Sequence, residues 1–285
     1  MLRVIVLGFR SEAFLPKLLE SLVKHLHAPA ELVVWDNDGR TRPLMERWLA
    51  SHSPGFSVVI AGNGINLGFG AAVNRAAALA TGRPYTSLLL LNADTALATD
   101  LDEGIEQQLS ALGGIVGLRI FDDNERQHRQ ASARMFPNWI TAIAGREGWL
   151  TRLWPGNPWS RRYLGTDLSF ETLQRVDWVS GCGMLCTRAA WEKLGGFDER
   201  YFMYAEDVDL ARRARDGSVP VYYSPTVDVV HAVRGSTGRR SFKADLYHHR
   251  SMWLYYWKWS SFGARFFAPF IAVGILLRLL VRRIA

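Results

Sequence analysis

Leu88-Leu89-Leu90-Leu91-Asn92-Ala93-Asp94-Thr95 decides how this chain folds: four leucines run without interruption into a short polar end that carries a carboxylate. An unbroken apolar run marks a strand buried on both faces of a parallel sheet, because a half-exposed strand alternates apolar and polar side chains. In open α/β sheets ligands gather outside the carboxyl ends of such strands. Asp94, with Asn92 beside it, is therefore the first candidate for a metal or phosphate site. The competing reading of Asn-Ala-Asp-Thr is a strand-to-loop turn closed by an Asx hydrogen bond, and taken alone these eight residues favour it.

Upstream, Met1 to Leu7 reads as a first strand, without the basic region or cleavage site of a signal peptide. Gly8-Phe9-Arg10-Ser11 leads into an amphipathic helix with Phe14, Leu15, Leu18, Leu19, Leu22 and Val23 on one face. Leu32-Val33-Val34-Trp35 is a second strand that stops at Asp36-Asn37-Asp38-Gly39. Strand, helix and strand within about 35 residues form a βαβ unit with a right-handed crossover, so two strand ends deliver polar groups to one edge. Ser57 to Ala61 is a third strand, followed by the glycine-rich run 62–70 and a small-residue helix, Ala71 to Ala80, that carries Asn74. The glycines lack Gly-x-Gly-x-x-Gly spacing and the chain has no Gly-Lys-Ser/Thr phosphate loop. The segment either lets backbone amides approach an anion at a helix start or seats a small-residue helix close to the sheet.

Downstream, Leu101 to Leu112 reads as a helix, Gly114 to Phe121 as a strand, and Asp122-Asp123-Asn124 as a turn. Periodicity then breaks: residues 134 to 165 place Trp139, Trp149, Trp154 and Trp159 among Pro137, Pro155, Pro158 and several glycines. So aromatic and loop-rich an insert is a satellite core or an acceptor-binding lid, and we read it as the lid. Val176 to Cys186 returns to strand, with Gly181 and Gly183 allowing close backbone approach by a ligand. In Phe202-Met203-Tyr204-Ala205-Glu206-Asp207-Val208-Asp209 three carboxylates open a helix, where its positive end favours them. N-terminal capping explains one or two of these acids well and three in an aromatic setting poorly. Val219 to Tyr223 and Val227 to Val230 are further strands, the last stopping at His231.

The 285 residues, 48% hydrophobic and 21% charged, have an ordinary globular balance. Cys182 and Cys186 are too few for a disulfide framework, and on a strand they stand roughly 13 Å apart, beyond bridging distance; they read as reduced core thiols of a cytosolic protein. Charge is distributed unevenly. From His231 onward there are ten Lys+Arg against one acid, Asp245, which leaves 24 basic and 26 acidic side chains in the first 230 residues. Any anionic surface is met by the C-terminal fifth.

The pieces, in order, resemble the family 2 glycosyltransferases of the GT-A fold, especially their rhamnosyltransferase-like branch. The resemblance rests on Phe9-Arg10-Ser11, Val34-Trp35-Asp36-Asn37, Asn66-Leu67-Gly68-Phe69-Gly70 with Asn74, Leu91-Asn92-Ala93-Asp94-Thr95, Trp178-Val179-Ser180-Gly181, Gly195-Gly196-Phe197-Asp198-Glu199 and Phe202 to Leu210. It spans residues 1 to 235 and implies an α/β, GT-A (Rossmann-like) domain with a mostly parallel central sheet flanked by helices. It also implies a nucleotide-diphosphate-sugar donor held across the first half of that sheet. Phe9 and Asp36 would border the base and ribose, with Arg10 and Asn37 beside them. Asn66, Gly68 and Asn74 would lie near the nucleotide, and Asn92, Asp94, Trp178 and Gly181 would complete the donor site. Asp94 matches the last acid of the family's Asp-x-Asp motif and would hold Mg2+ or Mn2+ on the diphosphate, with His231 as the later metal-side ligand. Asp207 would be the general base, with Glu206 as the alternative. Three positions depart from the family pattern: Asn92 replaces the first acid of Asp-x-Asp, Gly8 and Arg10 replace a common Thr and Asn, and Asp38-Gly39 follows Asp36-Asn37.

Physical chemistry agrees with these roles. A hard divalent cation takes oxygen ligands and keeps substrate phosphates and waters, so one carboxylate plus a diphosphate suffices. Inversion at the sugar carbon needs one base to take the acceptor hydroxyl's proton, and a like charge and burial raise the pKa of such an acid.

Residues 236 to 285 read as a C-terminal appendage of amphipathic, membrane-associating helices. Tyr247-His248-His249-Arg250 and Trp253-Leu254-Tyr255-Tyr256-Trp257-Lys258-Trp259 interleave aromatics with cations, as belts at a bilayer surface do. Phe266 to Leu277 is apolar for 12 residues before Arg278, short of the roughly 20 that span a membrane, which favours an interfacial helix. A helix packed on the domain, or on a second subunit of a homo-oligomer, is the alternative; nucleic acid is the poorer partner, since no motif for it is present. The expectation is an inverting, metal-dependent transferase on the cytoplasmic face of a bacterial membrane. It would move L-rhamnose from dTDP-L-rhamnose to a polyprenyl-linked or saccharide acceptor. Its rivals are transfer of galactofuranose, mannose or glucose, and a catalytically silent sugar-nucleotide-binding protein.

Overall fold

The computed structural model describes residues 1–122, 125–136, 149–164, 170–231 and 242–284. The first half runs β1 (Leu2–Gly8), α1 (Leu15–His25), β2 (Ala30–Asp36), α2 (Thr41–Ser51), β3 (Ser57–Ala61), α3 (Phe69–Ala77), β4 (Ser87–Asn92), β5 (Thr95–Leu97), α4 (Glu103–Leu112) and β6 (Ile115–Phe121). There follow β7 (Ala133–Arg134), α5 (Trp149–Leu153), α6 (Pro158–Leu164), β8 (Gln174–Arg175), β9 (Trp178–Val179), β10 (Met184–Thr187) and α7 (Arg188–Leu194). The chain closes with α8 (Glu206–Asp216), β11 (Val221–His231), α9 (Phe242–Trp259), α10 (Phe262–Arg265) and α11 (Ala268–Ile284).

The main sheet has the order β3-β2-β1-β4-β10-β6-β11-β5, with β8 paired to β11; β7 and β9 form a separate ribbon. Strands β3, β2, β1 and β4 are parallel, while β10 enters antiparallel between β4 and β6. The leucine run sits where its pattern requires. Leu88 and Leu90 enter the core on one face of the sheet, Leu89 and Leu91 the core on the other, each at most 2% exposed. Burying a leucine side chain contributes about 1.5 to 3 kcal/mol, so a polar residue at any of the four positions would disrupt one layer or the other.

Inside this apolar sheet Arg3 is 1% exposed. Its guanidinium pairs with Glu31 at 2.8 Å and donates to the carbonyls of Ala77 and Leu79, so β1, β2 and the end of α3 are joined through one cation.

The sequence pattern differs from the structure in several places. Helices α2 and α7 and the short strands β5, β7 and β8 carry no strong period and go unread, and α5 and α6 lie within the stretch read as loop-rich. The expected strand from Val176 to Cys186 is two, because Gly183 at φ +78° turns the chain between β9 on the ribbon and β10 in the main sheet. The expected pair Val219–Tyr223 and Val227–Val230 is the single β11, interrupted by an irregularity between Tyr223 and Asp228.

Candidate active site

At the ends of β1 and β2, Phe9, Arg10, Asn37, Asp38, Arg40, Gly64 and Asn66 line a cleft of about 280 Å³. Four of them, Phe9, Arg10, Asn37 and Asn66, come from the sequence-derived donor set. An amide relay shapes the wall: Asn37 Nδ2 donates to Asn66 Oδ1 at 3.0 Å, and Asn37 Oδ1 accepts the Leu67 N–H at 3.0 Å. Asn66 Oδ1 also accepts the Gly68 N–H at 3.0 Å. Arg10 adopts φ +50° and donates its N–H to Asp38 Oδ2 at 2.7 Å, while its guanidinium lies 5.4 Å from the Phe9 ring. Asp36 is used differently from the expectation. Its Oδ1 accepts the N–H groups of Asp38 and Gly39 and its Oδ2 that of Arg42, so its carboxylate shapes the loop beneath the cleft.

The loop 66–70 is joined to the segment that carries the acid pair. Gly68 has φ +83°, and a Cβ there would stand 2.3 Å from the Phe202 carbonyl oxygen. That close approach lets the Phe69 N–H donate to the same oxygen at 2.8 Å. Asn74, expected near the nucleotide, has its amide bonded at both ends to the Phe197 backbone, each at 2.9 Å. It locks α3 to the turn at Gly196, where a Cβ would lie 2.5 Å from Asn74 Oδ1.

Immediately before α8, Tyr204 and Ala205 both occupy left-handed backbone conformations, φ +73° and +64°. Non-glycine residues held there cost on the order of 1 to 3 kcal/mol each, and surrounding contacts must hold them. Ser251 Oγ of α9 donates to the Met203 carbonyl at 2.8 Å, and the Phe202 and Tyr247 rings stack at 4.5 Å. The constrained turn presents Glu206 and Asp207. Asp207 Oδ2 accepts the Gly181 N–H at 3.1 Å and Oδ1 the Val208 N–H at 2.8 Å. Burial raises the Asp207 carboxyl, opposed by these N–H groups and by the Arg134 charge. Burial, and then the charge of Asp207, push Glu206 up to about 8. Glu206 Oε2 is buried and has no hydrogen-bond partner among the described residues. Of the two, Asp207 has N–H donors that favour its ionised form, so it is the member of the pair that gives up its proton more readily.

Asp94 and His231 meet across the ends of β4 and β11, His231 Nε2 standing 3.3 Å from Asp94 Oδ1. His231 Nδ1 lies 3.1 Å from Gln130 Oε1. Burial opposes the imidazolium, but Cys182 and Asp94 beside it outweigh this and push His231 up to about 10. The turn between β9 and β10 joins the two halves of the site: Gly181 holds Asp207, and the next residue, Cys182, faces His231 and through it Asp94. Asp94 and Asp207 thus border one turn. The half-buried Asn92 accepts from Thr95 Oγ1 through its carbonyl at 2.7 Å. Trp178 is buried and donates its indole N–H to the Met135 carbonyl.

Asp94 and His231 are the residues here that could hold Mg2+ or Mn2+, a hard cation whose remaining ligands would be phosphate oxygens and water. Among the described residues no group of three His, Cys, Asp or Glu converges to complete it.

Sequence reasoning missed Asp38, Arg40 and Gly64 in the cleft, although the first and last lie in quoted polar and glycine-rich runs. It also left the role of Asp209 open. Fully buried, Asp209 accepts from Lys258 and the Trp259 indole at 2.8 Å, and from Arg213 at 2.9 Å. The third carboxylate therefore ties α9 to α8.

The family model for glycosyl transferase family 2 matches residues 3–193. The chain is 31% identical over 268 residues to the N-acetylglucosaminyl-diphospho-decaprenol L-rhamnosyltransferase of Mycobacterium tuberculosis, covering 89% of this chain and 83% of that one. It is 34% identical over 80 residues, 28% of its length, to rhamnosyltransferase WbbL of Escherichia coli K12. Among solved structures it is similar in fold to GalNAc-T7 with UDP, GalNAc and Mn2+, with a TM-score of 0.52 and 14% identity, covering 81% of this chain and 43% of that one.

Proposed function

Because this chain belongs to glycosyl transferase family 2, we propose that it moves L-rhamnose from dTDP-L-rhamnose, with inversion, to a GlcNAc unit carried on a polyprenyl diphosphate. The observation that carries the reading is the turn at Gly181 and Cys182, with the base candidate Asp207 on one side and the Asp94–His231 pair on the other. The mycobacterial relative's named acceptor supports the sugar and its lipid carrier.

In this reading the base and ribose lie in the cleft of Phe9, Arg10, Asn37 and Asn66, and the loop 66–70 closes over them. The acceptor hydroxyl attacks the sugar carbon as its bond to the diphosphate oxygen breaks, and Asp207 takes the hydroxyl's proton. The Gly181 N–H aims the Asp207 carboxylate, while protonated Glu206 spares it a second negative charge. Asp94 and His231 would hold Mg2+ or Mn2+, which when bound would neutralise charge developing on the departing nucleoside diphosphate. The protein would sit peripherally on the cytoplasmic face of the membrane, through the exposed aromatics of its last helices.

Turnover of dTDP-L-rhamnose with GlcNAc-diphospho-polyprenol tests the proposal. Asp207→Asn is expected to lower kcat by about a hundredfold or more while donor binding, read by calorimetry, survives. Near-normal turnover in that variant would remove Asp207 from the role. Chelation by EDTA should abolish transfer, and Mn2+ or Mg2+ should restore it; full activity with chelator present would release Asp94 and His231 from metal binding. A wild-type protein that binds the donor and forms no product would favour a silent binding protein.

A further inference from the structure

Beyond the donor cleft, the helix that starts with Glu206 and Asp207 carries two arginines that the chemistry above does not use. Arg212 and Arg215 share a single aromatic ring, each guanidinium 5.0 Å from the centroid of the buried Phe136. Arg212 also faces the Trp259 ring at 5.6 Å, and its Nε is buried with no hydrogen-bond partner among the described residues. Two residues before Phe136, Arg134 lies 5.4 Å from the Trp178 ring and within electrostatic reach of Asp207. No carboxylate pairs with Arg134 or Arg212 among the described residues, and the acid nearest Arg215 is its own neighbour Asp216 at 3.7 Å.

Contact with the negative face of a ring stabilises one guanidinium modestly. It accounts for each arginine singly. It does not account for two like charges around one ring with a buried donor left over, an arrangement that is costly without an anion to join them. Among the described residues the nearby acids are engaged elsewhere: Asp177 accepts the Phe136 N–H, and Asp209 is held by Arg213, Lys258 and Trp259.

We infer that Arg134, Arg212 and Arg215 form a binding track for the diphosphate of the lipid-linked acceptor. The inference rests on the proposed acceptor class. Along α8, Arg212 and Arg215 lie about 8 and 12 Å of helix rise beyond Asp207, a span suited to a sugar ring and its anomeric phosphates with the reacting hydroxyl at Asp207. The track borders Trp259 at Arg212, and the elements that follow Trp259 expose Phe262, Phe266 and Phe270, so an isoprenoid tail would leave toward apolar surface.

The test uses full-length protein carrying Arg134→Gln, Arg212→Gln or Arg215→Gln, with Arg212→Lys as the charge-retaining variant. Two acceptors are compared, GlcNAc-diphospho-polyprenol and the uncharged octyl N-acetylglucosaminide; binding of farnesyl diphosphate is measured separately with dTDP filling the donor site. Loss of one charge-assisted contact should raise KM for the diphosphate acceptor about tenfold or more relative to the uncharged one, and weaken farnesyl diphosphate binding by a similar factor. Arg212→Lys should recover part of the loss. Equal changes with both acceptors, or farnesyl diphosphate binding unchanged in all three Gln variants, would overturn the inference. Should Arg212→Gln unfold, the exposed Arg215 decides. Rhamnose transfer by wild type with unaltered variants would sink the track alone, whereas arginine-dependent farnesyl diphosphate binding without rhamnose transfer would sink the proposed sugar and leave the track.

Discussion

Glu206 and Asp207 show how two adjacent carboxyls divide one task. Asp207 is met by the Gly181 N–H, whereas Glu206 is buried with one oxygen unpartnered among the described residues. An acid raised from 4.5 to about 8 stays protonated in the folded chain while the unfolded chain ionises. The unfolded state then binds fewer protons, so Glu206 lowers stability progressively from pH 4.5 to pH 8, by on the order of 3 kcal/mol at neutral pH. Glu206→Gln should therefore gain thermal stability relative to wild type as pH rises through that window; a difference in melting temperature that is flat with pH would contradict the assignment. The same variant mimics the protonated glutamate, so the acid limb of the kcat profile, which reports Asp207, should barely move. A large displacement of that limb would make Glu206 the base. Arg3 poses a different residue-scale question, since Arg3→Met strands Glu31 as a buried charge. A loss of about 3 to 5 kcal/mol in a urea titration is expected.

At the scale of elements, α9 acts as a brace for the segment that presents the acids. Its Lys258 reaches both Asp198 and Asp209 at 2.8 Å, its Ser251 holds the Met203 carbonyl, and its Tyr255 enters the core. Arg200 first, and Lys258 with it, hold the Asp198 carboxyl well below the usual carboxylate range. Asp209→Asn would leave Arg213 and Lys258 without their shared charge, and a loss of about 3 kcal/mol in urea is expected; an unchanged midpoint would show that α9 does not depend on this link. The brace also marks where sequence reading stopped. The leucine strand, the βαβ unit and the three carboxylates were legible because burial on two faces, period and helix-end electrostatics are local properties. The family resemblance names Asp207 as the base, but the anchoring of α9 by Asp209 is not legible, because Lys258 and Trp259 lie about 50 residues further along the chain. The bonds of Asn74 to the Phe197 backbone and of Asp36 to the loop after β2 depend on tertiary contacts that no spacing reveals. The turn at Gly183 likewise became visible only with the two sheets in place.

Over the whole molecule, charge and apolar exposure gather at one end of the sequence. Ten cations against one acid follow Val230, and Phe262, Phe266, Phe267 and Phe270 are 58% to 91% exposed. The Ser261 side chain caps α10 by accepting the Ala264 N–H, so the chain after α9 continues in order rather than fraying. Among the described residues no helix is long and apolar enough to cross a membrane. A cluster of exposed phenylalanines beside Arg265 suits the boundary between headgroups and acyl chains, where apolar burial and attraction to anionic lipid add. Because α9 is bonded to the loop before Glu206, attachment through α10 and α11 would also fix the direction in which Asp207 faces the bilayer. The double variant Phe266→Ser/Phe270→Ser should lose sedimentation with vesicles containing phosphatidylglycerol while keeping calorimetric binding of dTDP-L-rhamnose, since neither residue lines the donor cleft. Raised salt should weaken the wild-type attachment, and vesicles of neutral lipid should bind it less. If the double variant sediments as wild type does, the aromatic end is not the membrane contact, and a second copy of the chain becomes the occupant to test by sedimentation velocity.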